Sequence, residues 1–323
     1  MTQSVRRSRD VPELVRLARA GDPRAVARLI SLVESGDDTV PEIAAALTPH
    51  TGKAEVIGLT GSPGVGKSTT TNEMVRAYRA AGKRIGVLAV DPSSPFTGGA
   101  ILGDRVRMQD HATDPGVYIR SMSSRGHLGG LAAATPQAVR VLKGAGCDVV
   151  LIETVGVGQA EVEVASLADT TVVLLAPGMG DAIQAAKAGI LEIADVFVVN
   201  KADRDGADAT YRDIQGMIGL GERGPGDWRP QVVRAIAVRP EGIDDIIAAI
   251  DKHRKWLIDH GELQPRREAR AAAEVEAIAL GALRDQIGSL RNGTALPALA
   301  AKVAAGELDP YAAANDLLAR LDR

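Results

Sequence analysis

A chain of 323 residues with 45% hydrophobic and 24% charged residues has the composition of an ordinary soluble globular protein, long enough for one large domain or two smaller ones. A net charge of −3 gives no general attraction to nucleic acid or to a membrane surface, and a single cysteine, Cys147, excludes a disulfide within the chain, which suits a reducing cytoplasm. With only 2% aromatic residues the core has to be built from Ala, Val, Leu and Ile, and Cys147, just ahead of an apolar run, reads as a small packing residue rather than a nucleophile.

The first ten residues carry several arginines and no apolar signal core, and nothing downstream has the length of a membrane-spanning segment, so a frayed terminus and a soluble, cytoplasmic protein are expected. Residues 10 to about 50 read as helices. Val11-Pro opens one that stops at Gly21, Asp22-Pro23 opens the next with Ala25, Val26, Leu29, Ile30 and Leu32 at helical spacing, and a third runs through Ile43 to Leu47. They are expected to form a small cap on the main body. From about 54 to 260 strands and helices alternate. Strands are expected at 55–60, 84–91, 117–121, 148–153, 170–176, 195–200 and 232–237, helices at 67–81, 135–145, 181–193, 206–219 and 243–258. Unbroken apolar runs such as 171–176 and 196–199 imply strands covered on both faces. The fold class is therefore α/β, an open and mostly parallel sheet flanked by helices, with ligands at the carboxyl ends of the strands. Beyond 264 the pattern becomes purely helical. Val275, Ile278, Ala279, Ala282, Leu283, Ile287 and Leu290 make one apolar stripe, followed by shorter helices near 296–304 and 310–321. The stripe packs either on the chain's own body or on a second copy; a long terminal helical arm favours the second, a homodimer. The resulting division is 1–50, 51–260 and 261–323.

Gly61, Ser62, Pro63, Gly64, Val65, Gly66, Lys67 and Ser68 match G-x-x-x-x-G-K-[ST] at every fixed position, between an apolar strand (54–60) and a helix that begins near Thr69. The glycines let successive N–H groups turn inward onto phosphate oxygens, and the helix N-terminus adds partial positive charge. Lys67 is placed to reach the β- and γ-phosphates, and the Ser68 hydroxyl to hold a magnesium ion. This makes the central domain a P-loop NTPase.

Asn200, Lys201 and Asp203 follow another apolar strand as N-K-x-D. The Asp203 carboxylate accepts two hydrogen bonds from guanine, and adenine lacks that donor pair. Hydrogen bonds to charged groups contribute roughly 1.5–3 kcal/mol each, enough to select GTP and GDP. Ile236, Ala237 and Val238, ahead of Gly242-Ile243, are similar to the loop that closes over guanine in GTPases. Isoleucine replaces the usual serine, which leaves the contact to the Ala237 N–H. Glu153 ends a strand three residues before Gly156, where small GTPases have D-x-x-G. The longer acid can serve the magnesium shell while the Gly156 N–H meets the γ-phosphate. Val157 stands where Ras-like enzymes carry the water-orienting glutamine, and Gln159 is two positions off. Unassisted hydrolysis on the order of 10⁻⁴–10⁻² s⁻¹ is expected. Asp91, before Pro92, and Asp104, before Arg105, are either metal or water ligands or, respectively, a turn-starting residue and a helix cap. Lys187, after the loop that holds Gly178 and Gly180, either contacts nucleotide or partner or is a solvated helix lysine. His111 and His127 lack the spacing of metal ligands.

Taken in order, the phosphate loop, the Asp-Pro-Ser-Ser-Pro run from Asp91, the Gly-Asp-Arg-Val-Arg-Met run around Asp104, the Glu-Thr-Val-Gly-Val-Gly-Gln run from Glu153 and the N-K-x-D motif resemble the MeaB/ArgK/MMAA family over nearly the whole chain. The resemblance implies a homodimeric G-protein chaperone with GTP/GDP and Mg2+. Such a protein binds adenosylcobalamin-dependent methylmalonyl-CoA mutase, or a related acyl-CoA mutase, gates its cofactor loading and helps protect or reactivate it. It assigns Lys67, Ser68, Asp91, Asp104 and Glu153 to phosphate and magnesium, lets the Asp104 and Glu153 loops change with nucleotide state, and puts Lys187 in an additional switch loop. Ile236 departs from the pattern. Two other functions compete: an ArgK-type kinase linked to basic-amino-acid transport, against which the guanine motif argues, and a metallochaperone GTPase, for which one cysteine and five scattered histidines supply poor ligands.

Overall fold

The computed structural model describes residues 8–52, 54–92, 109–111, 113–124, 134–154, 165–178, 190–221, 224, 226–292 and 295–319, with side chains for all but 91–92, 109, 123–124, 190–191 and 284–292. The chain divides into two compact units, 1–267 and 268–323.

The first unit holds a seven-stranded sheet of β1 (Glu55–Thr60), β2 (Ile85–Pro92), β3 (Val117–Ser124), β4 (Val149–Thr154), β5 (Thr170–Leu175), β6 (Val196–Asn200) and β7 (Gln231–Ala235). Its order is β3-β2-β4-β1-β5-β6-β7 and every pair is parallel. β1, β4, β5 and β6 are buried along their whole length, as their continuous apolar runs require. Helices α1 (Val11–Arg19), α2 (Pro23–Glu34) and α3 (Val40–Leu47) form the expected N-terminal cap. α1 and α2 start at Asp10 and Asp22, whose carboxylates accept from the N–H groups of Glu13 and Arg24. Their apolar stripes, with Leu14, Leu29 and Ile30 at 2% exposure or less, pack with α5 (Ala134–Gly144) and with Val56, Leu88, Val150 and Ile152 of the sheet. Arg120 on β3 donates to Glu34 and Ser31 and so fastens the end of α2 to the sheet edge. α4 (Lys67–Ala80) and α8 (Ile243–Asp259) share a second cluster with Ile57, Leu59, Leu151, Val172 and Leu174. α7 (Ala207–Leu220) packs Ile214 and Ile218 against Phe197 and Val199.

Three aspartates fix the register at the amino ends of the strands. Asp148, Asp169 and Asp195 each immediately precede the apolar run of β4, β5 or β6. Each carboxylate accepts from a neighbouring strand's first N–H groups: Arg84 at 2.7 Å, Val56 at 3.1 Å and Thr171 at 2.8 Å. Asp169 and Asp195, almost fully buried, also meet Arg267 at 2.9 Å and Arg266 at 3.2 Å, the last residues of this unit. A strand slipped by one residue would break these bonds as well as reverse its faces.

Some boundaries differ from the sequence reading. β3 continues to Ser124 because Asp91 and Pro92 still pair with Ser123 and Ser124. β7 stops at Ala235, not 237, because Ile236 turns to pair with Glu241. Of the helix expected at 181–193, only α6 (Ile190–Ile193) lies within the described residues. The second unit comprises α9 (Leu263–Asn292) from Glu268 onward, α10 (Ala295–Ala304) and α11 (Pro310–Leu318), the last two packed together. Among the described residues no helix is long and apolar enough to cross a membrane.

Candidate nucleotide site

The parallel sheet brings the ends of β1, β4 and β6 to one edge, and the candidate residues stand on those ends. Gly61 leaves β1 at φ 136°, where a Cβ would lie 2.2 Å from the Leu174 carbonyl oxygen of β5. Gly66 takes φ 100° immediately before α4, and a Cβ there would lie 2.3 Å from Asn200 Nδ2. Only glycine gives both the conformation and the clearance. Between them Pro63 and Gly64 are exposed while Val65 is buried and anchors the loop in the core beneath α4.

Lys67, 7% exposed, folds its ammonium back over the loop and donates to the carbonyls of Gly61 at 2.5 Å and Ser62 at 3.1 Å. Ser68, the second residue of α4, donates its hydroxyl to Glu153 Oε1 at 2.5 Å. Glu153 is fully buried at the end of β4, next to Thr154, whose hydroxyl lies 3.3 Å from that of Thr60. A serine hydroxyl and a buried carboxylate are thus brought together at a helix N-terminus across 85 positions of sequence. Hard oxygen donors of this kind suit magnesium, which takes one or two protein oxygens and completes its shell with water and substrate phosphate. No group of three or more His, Cys, Asp or Glu suited to a metal exists among the described residues.

Asn200, 3% exposed, bonds both sides of the site: its amide donates to the Val65 carbonyl at 2.8 Å, and its Oδ1 accepts from the Ala237 N–H at 3.1 Å. The Ala237 N–H expected to meet guanine therefore already serves Asn200. Lys201, at φ 57°, donates to the Gly64 carbonyl at 2.6 Å. These two side chains latch the phosphate loop to the end of β6, a role that the motif did not announce. Asp203 stays exposed, with its carboxylate 3.7 Å from Arg239. The loop after β7 is closed by bonds between Ile236 and Glu241, which leaves Ala237 buried and Val238 78% exposed beside Asp203's partner. Arg239 was missed by the sequence reading; its place within the base-closing loop was the available signal.

Thr69 is half-buried in the first turn of α4. The backbone of Asp91 ends β2 opposite Ser123, and its side chain lies outside the described residues, as do Asp104, Gly156, Val157, Gln159, Lys187 and His127 altogether. His111 is buried with Nε2 3.3 Å from the Asn72 carbonyl of α4, a packing position. Burial pushes the Cys147 thiol up to about 12, which removes it as a nucleophile.

The sequence profile of the family described as methylmalonyl-CoA mutase-associated GTPase MeaB matches residues 26–291. A Pyrococcus abyssi protein carrying a GTPase name is 46% identical over 312 residues, 95% of this chain and 96% of that one. The GTPase ArgK of Escherichia coli is 37% identical over 266 residues, 80% of each chain. The mitochondrial methylmalonic aciduria type A homologue of Mus musculus is 36% identical over 268 residues, 81% of this chain and 64% of that one. The crystal structure of a LAO/AO transport system kinase matches with a TM-score of 0.71 at 26% identity, covering 97% of this chain and 98% of that one. Phosphate loop, strand-end glutamate and latched N-K-x-D motif on one parallel sheet agree with those likenesses, and the chain belongs to the MeaB family of GTPases.

Proposed function

We propose that this GTPase works as a homodimeric, cytoplasmic chaperone of methylmalonyl-CoA mutase, binding GTP with Mg2+ and using the bound nucleotide to gate cofactor loading, protection and reactivation of that enzyme. The observation that supports it most is the Ser68–Glu153 bond, which ties the nucleotide helix to the strand leading into the segment with Gly156. In this reading the loop 61–68 wraps the phosphates, and Lys67 exchanges the Gly61 and Ser62 carbonyls for β- and γ-phosphate oxygens. Ser68 and Glu153, joined by Asp91 and Asp104, would hold the magnesium ion, which neutralises charge on the phosphates. Because only Thr154 separates Glu153 from 155–164, a change in its hold on the ion would pass into that segment. Gly156 and Lys187 then report the γ-phosphate to the partner, and Asp203, Asn200, Lys201 and the 236–238 turn read guanine. The kinase reading draws on the name of the matched crystal structure, but Asn200 and Asp203 favour guanine, and ArgK itself is named a GTPase.

The test mixes the purified protein with a methylmalonyl-CoA mutase in the GDP state and with a non-hydrolysable GTP analogue. A nucleotide-dependent complex and faster GTP turnover are expected. No complex and no acceleration in any nucleotide state would remove the chaperone reading.

A further inference from the structure

We infer that Arg239 is a positioning residue for guanine recognition: it acts through Asp203, tying the base-closing loop to the base-reading carboxylate and thereby setting how long the nucleotide stays. The inference rests on the reading of Asp203 as the guanine acceptor.

Arg239 follows Ala237 and Val238 in the turn after β7. That turn is closed by its own backbone: the Ile236 N–H donates to Glu241 O at 2.9 Å, and the Arg239 N–H to Ile236 O at 2.9 Å. Gly242, where a Cβ would lie 2.2 Å from the Arg234 carbonyl oxygen, ends the turn against β7. The backbone of Arg239 is therefore held, and its guanidinium has two acidic neighbours, one in each loop. Nε lies 3.1 Å from Glu241 Oε1 within the turn, and Nη2 lies 3.7 Å from Asp203 Oδ2 in the other loop. Asn200 already links the buried parts of those loops through the Ala237 N–H. Arg239 is the matching link at the surface.

At 3.7 Å the pair is an ion pair rather than a short hydrogen bond, so both Asp203 oxygens keep lone pairs for the guanine N1–H and 2-amino group. The guanidinium stands beside the carboxylate and ties it to the turn that borders the base-reading loop. When a base covers the pair, water leaves and the attraction strengthens. Glu241 engages Nε of the same guanidinium at 3.1 Å, which opposes a bidentate grip on Asp203 that would compete with the base.

The experiment measures GDP affinity and release with a fluorescent GDP analogue on the full chain, for Arg239→Ala, Arg239→Lys, Asp203→Asn and the double variant. Exposed ion pairs are weak, so Arg239→Ala should bind GDP about fivefold less tightly, almost entirely through faster release. Arg239→Lys should recover part of the loss. In the Asp203→Asn background the same change should alter affinity by less than about twofold, since the partner charge is gone. Unchanged or tighter binding by Arg239→Ala would overturn the inference. So would an equal loss in both backgrounds, which would mean that the arginine stacks on the base or attracts phosphate directly. If Asp203→Asn alone leaves GDP affinity intact, the guanine reading of Asp203 fails first, and the positioning role of Arg239 falls with it.

Discussion

Gly66 is asked for two things at once, a left-handed conformation and room for Asn200, and a methyl group there denies both. Gly66→Ala should lower nucleotide affinity at least about 100-fold while costing the fold only about 1–2 kcal/mol, because the strain is confined to a loop. Titration with a fluorescent GDP analogue, beside a thermal melt, checks this; affinity within tenfold of the parent would mean that the loop does not hold phosphate in this conformation. Asp203 is selected by chemistry rather than by space. Asp203→Asn replaces two acceptor lone-pair sets by one acceptor and one donor, so GTP affinity should fall about 100- to 1000-fold and xanthosine triphosphate, whose 2-oxo group accepts from the new amide, should become the better ligand. Competition between the two triphosphates reads the outcome, and an unchanged preference for GTP would take Asp203 out of the base slot. Both positions were legible in the sequence, since each sits in a short motif whose members are chain neighbours. The direct bonds between motifs were not, although Ser68 and Glu153 were both expected at the magnesium ion. Glu153 reaches Ser68 across 85 positions, and Asn200 reaches Val65 across 135. Nothing in a local pattern encodes a contact that exists only once the sheet is assembled.

At the level of elements, the same distinction separates strands from sheet order. The apolar runs of β1, β4, β5 and β6 announced buried strands because every side chain in them faces a covered surface. The order β3-β2-β4-β1-β5-β6-β7 follows from which edge each crossover returns to, and that information is spread over the loops. The aspartates before β4, β5 and β6 were a visible signal left unused: a charge set immediately against an apolar run needs a reason, and here it is a neighbouring strand's N–H. Glu55, at the start of β1, is a second buried charge with a different balance. Burial raises its pKa, and Arg254 of α8, 3.0 Å away, opposes the rise. A raised folded-state value means that Glu55 contributes stability below its unfolded pKa of about 4.5 and loses it as pH rises through the folded value. Arg254→Ala removes the opposing charge and raises that folded value further. The variant should therefore melt near the parent at pH 5 and fall behind it at pH 8 by about 1–3 kcal/mol, less than a fully buried pair because the arginine is partly exposed. Thermal melts at the two pH values decide it. An equal deficit at both would place the loss in the packing of the arginine stem and not in the charge.

On the scale of the whole molecule the two units meet different demands. The first packs three apolar clusters around the sheet and leaves Leu220, Val238 and Ile258 exposed as scattered single residues. In the second, exposed apolar residues gather on one helix: Val275 and Ile278 on α9 are 67% and 57% exposed, and Leu280 and Leu283 are about half exposed. Val275 and Ile278, with Ala279, Ala282 and Leu283, recur at helical spacing. A contiguous apolar stripe on a long helix is a surface that water disfavours by roughly 25 cal/mol per Å² left uncovered. A second copy of the chain offers an identical stripe, and a two-fold pairing covers both at once. Replacing Val275 and Ile278 together by glutamate puts two charges into that contact from each chain, so a dimer should dissociate to monomers at micromolar concentration. Light scattering on the eluting protein measures the mass directly. GDP binding serves as the control, because every described residue of the nucleotide site belongs to the first unit and should be unaffected. A parent protein that already runs as a monomer would end the homodimer proposal. A variant that stays dimeric would move the interface off this stripe and leave its exposure to another partner.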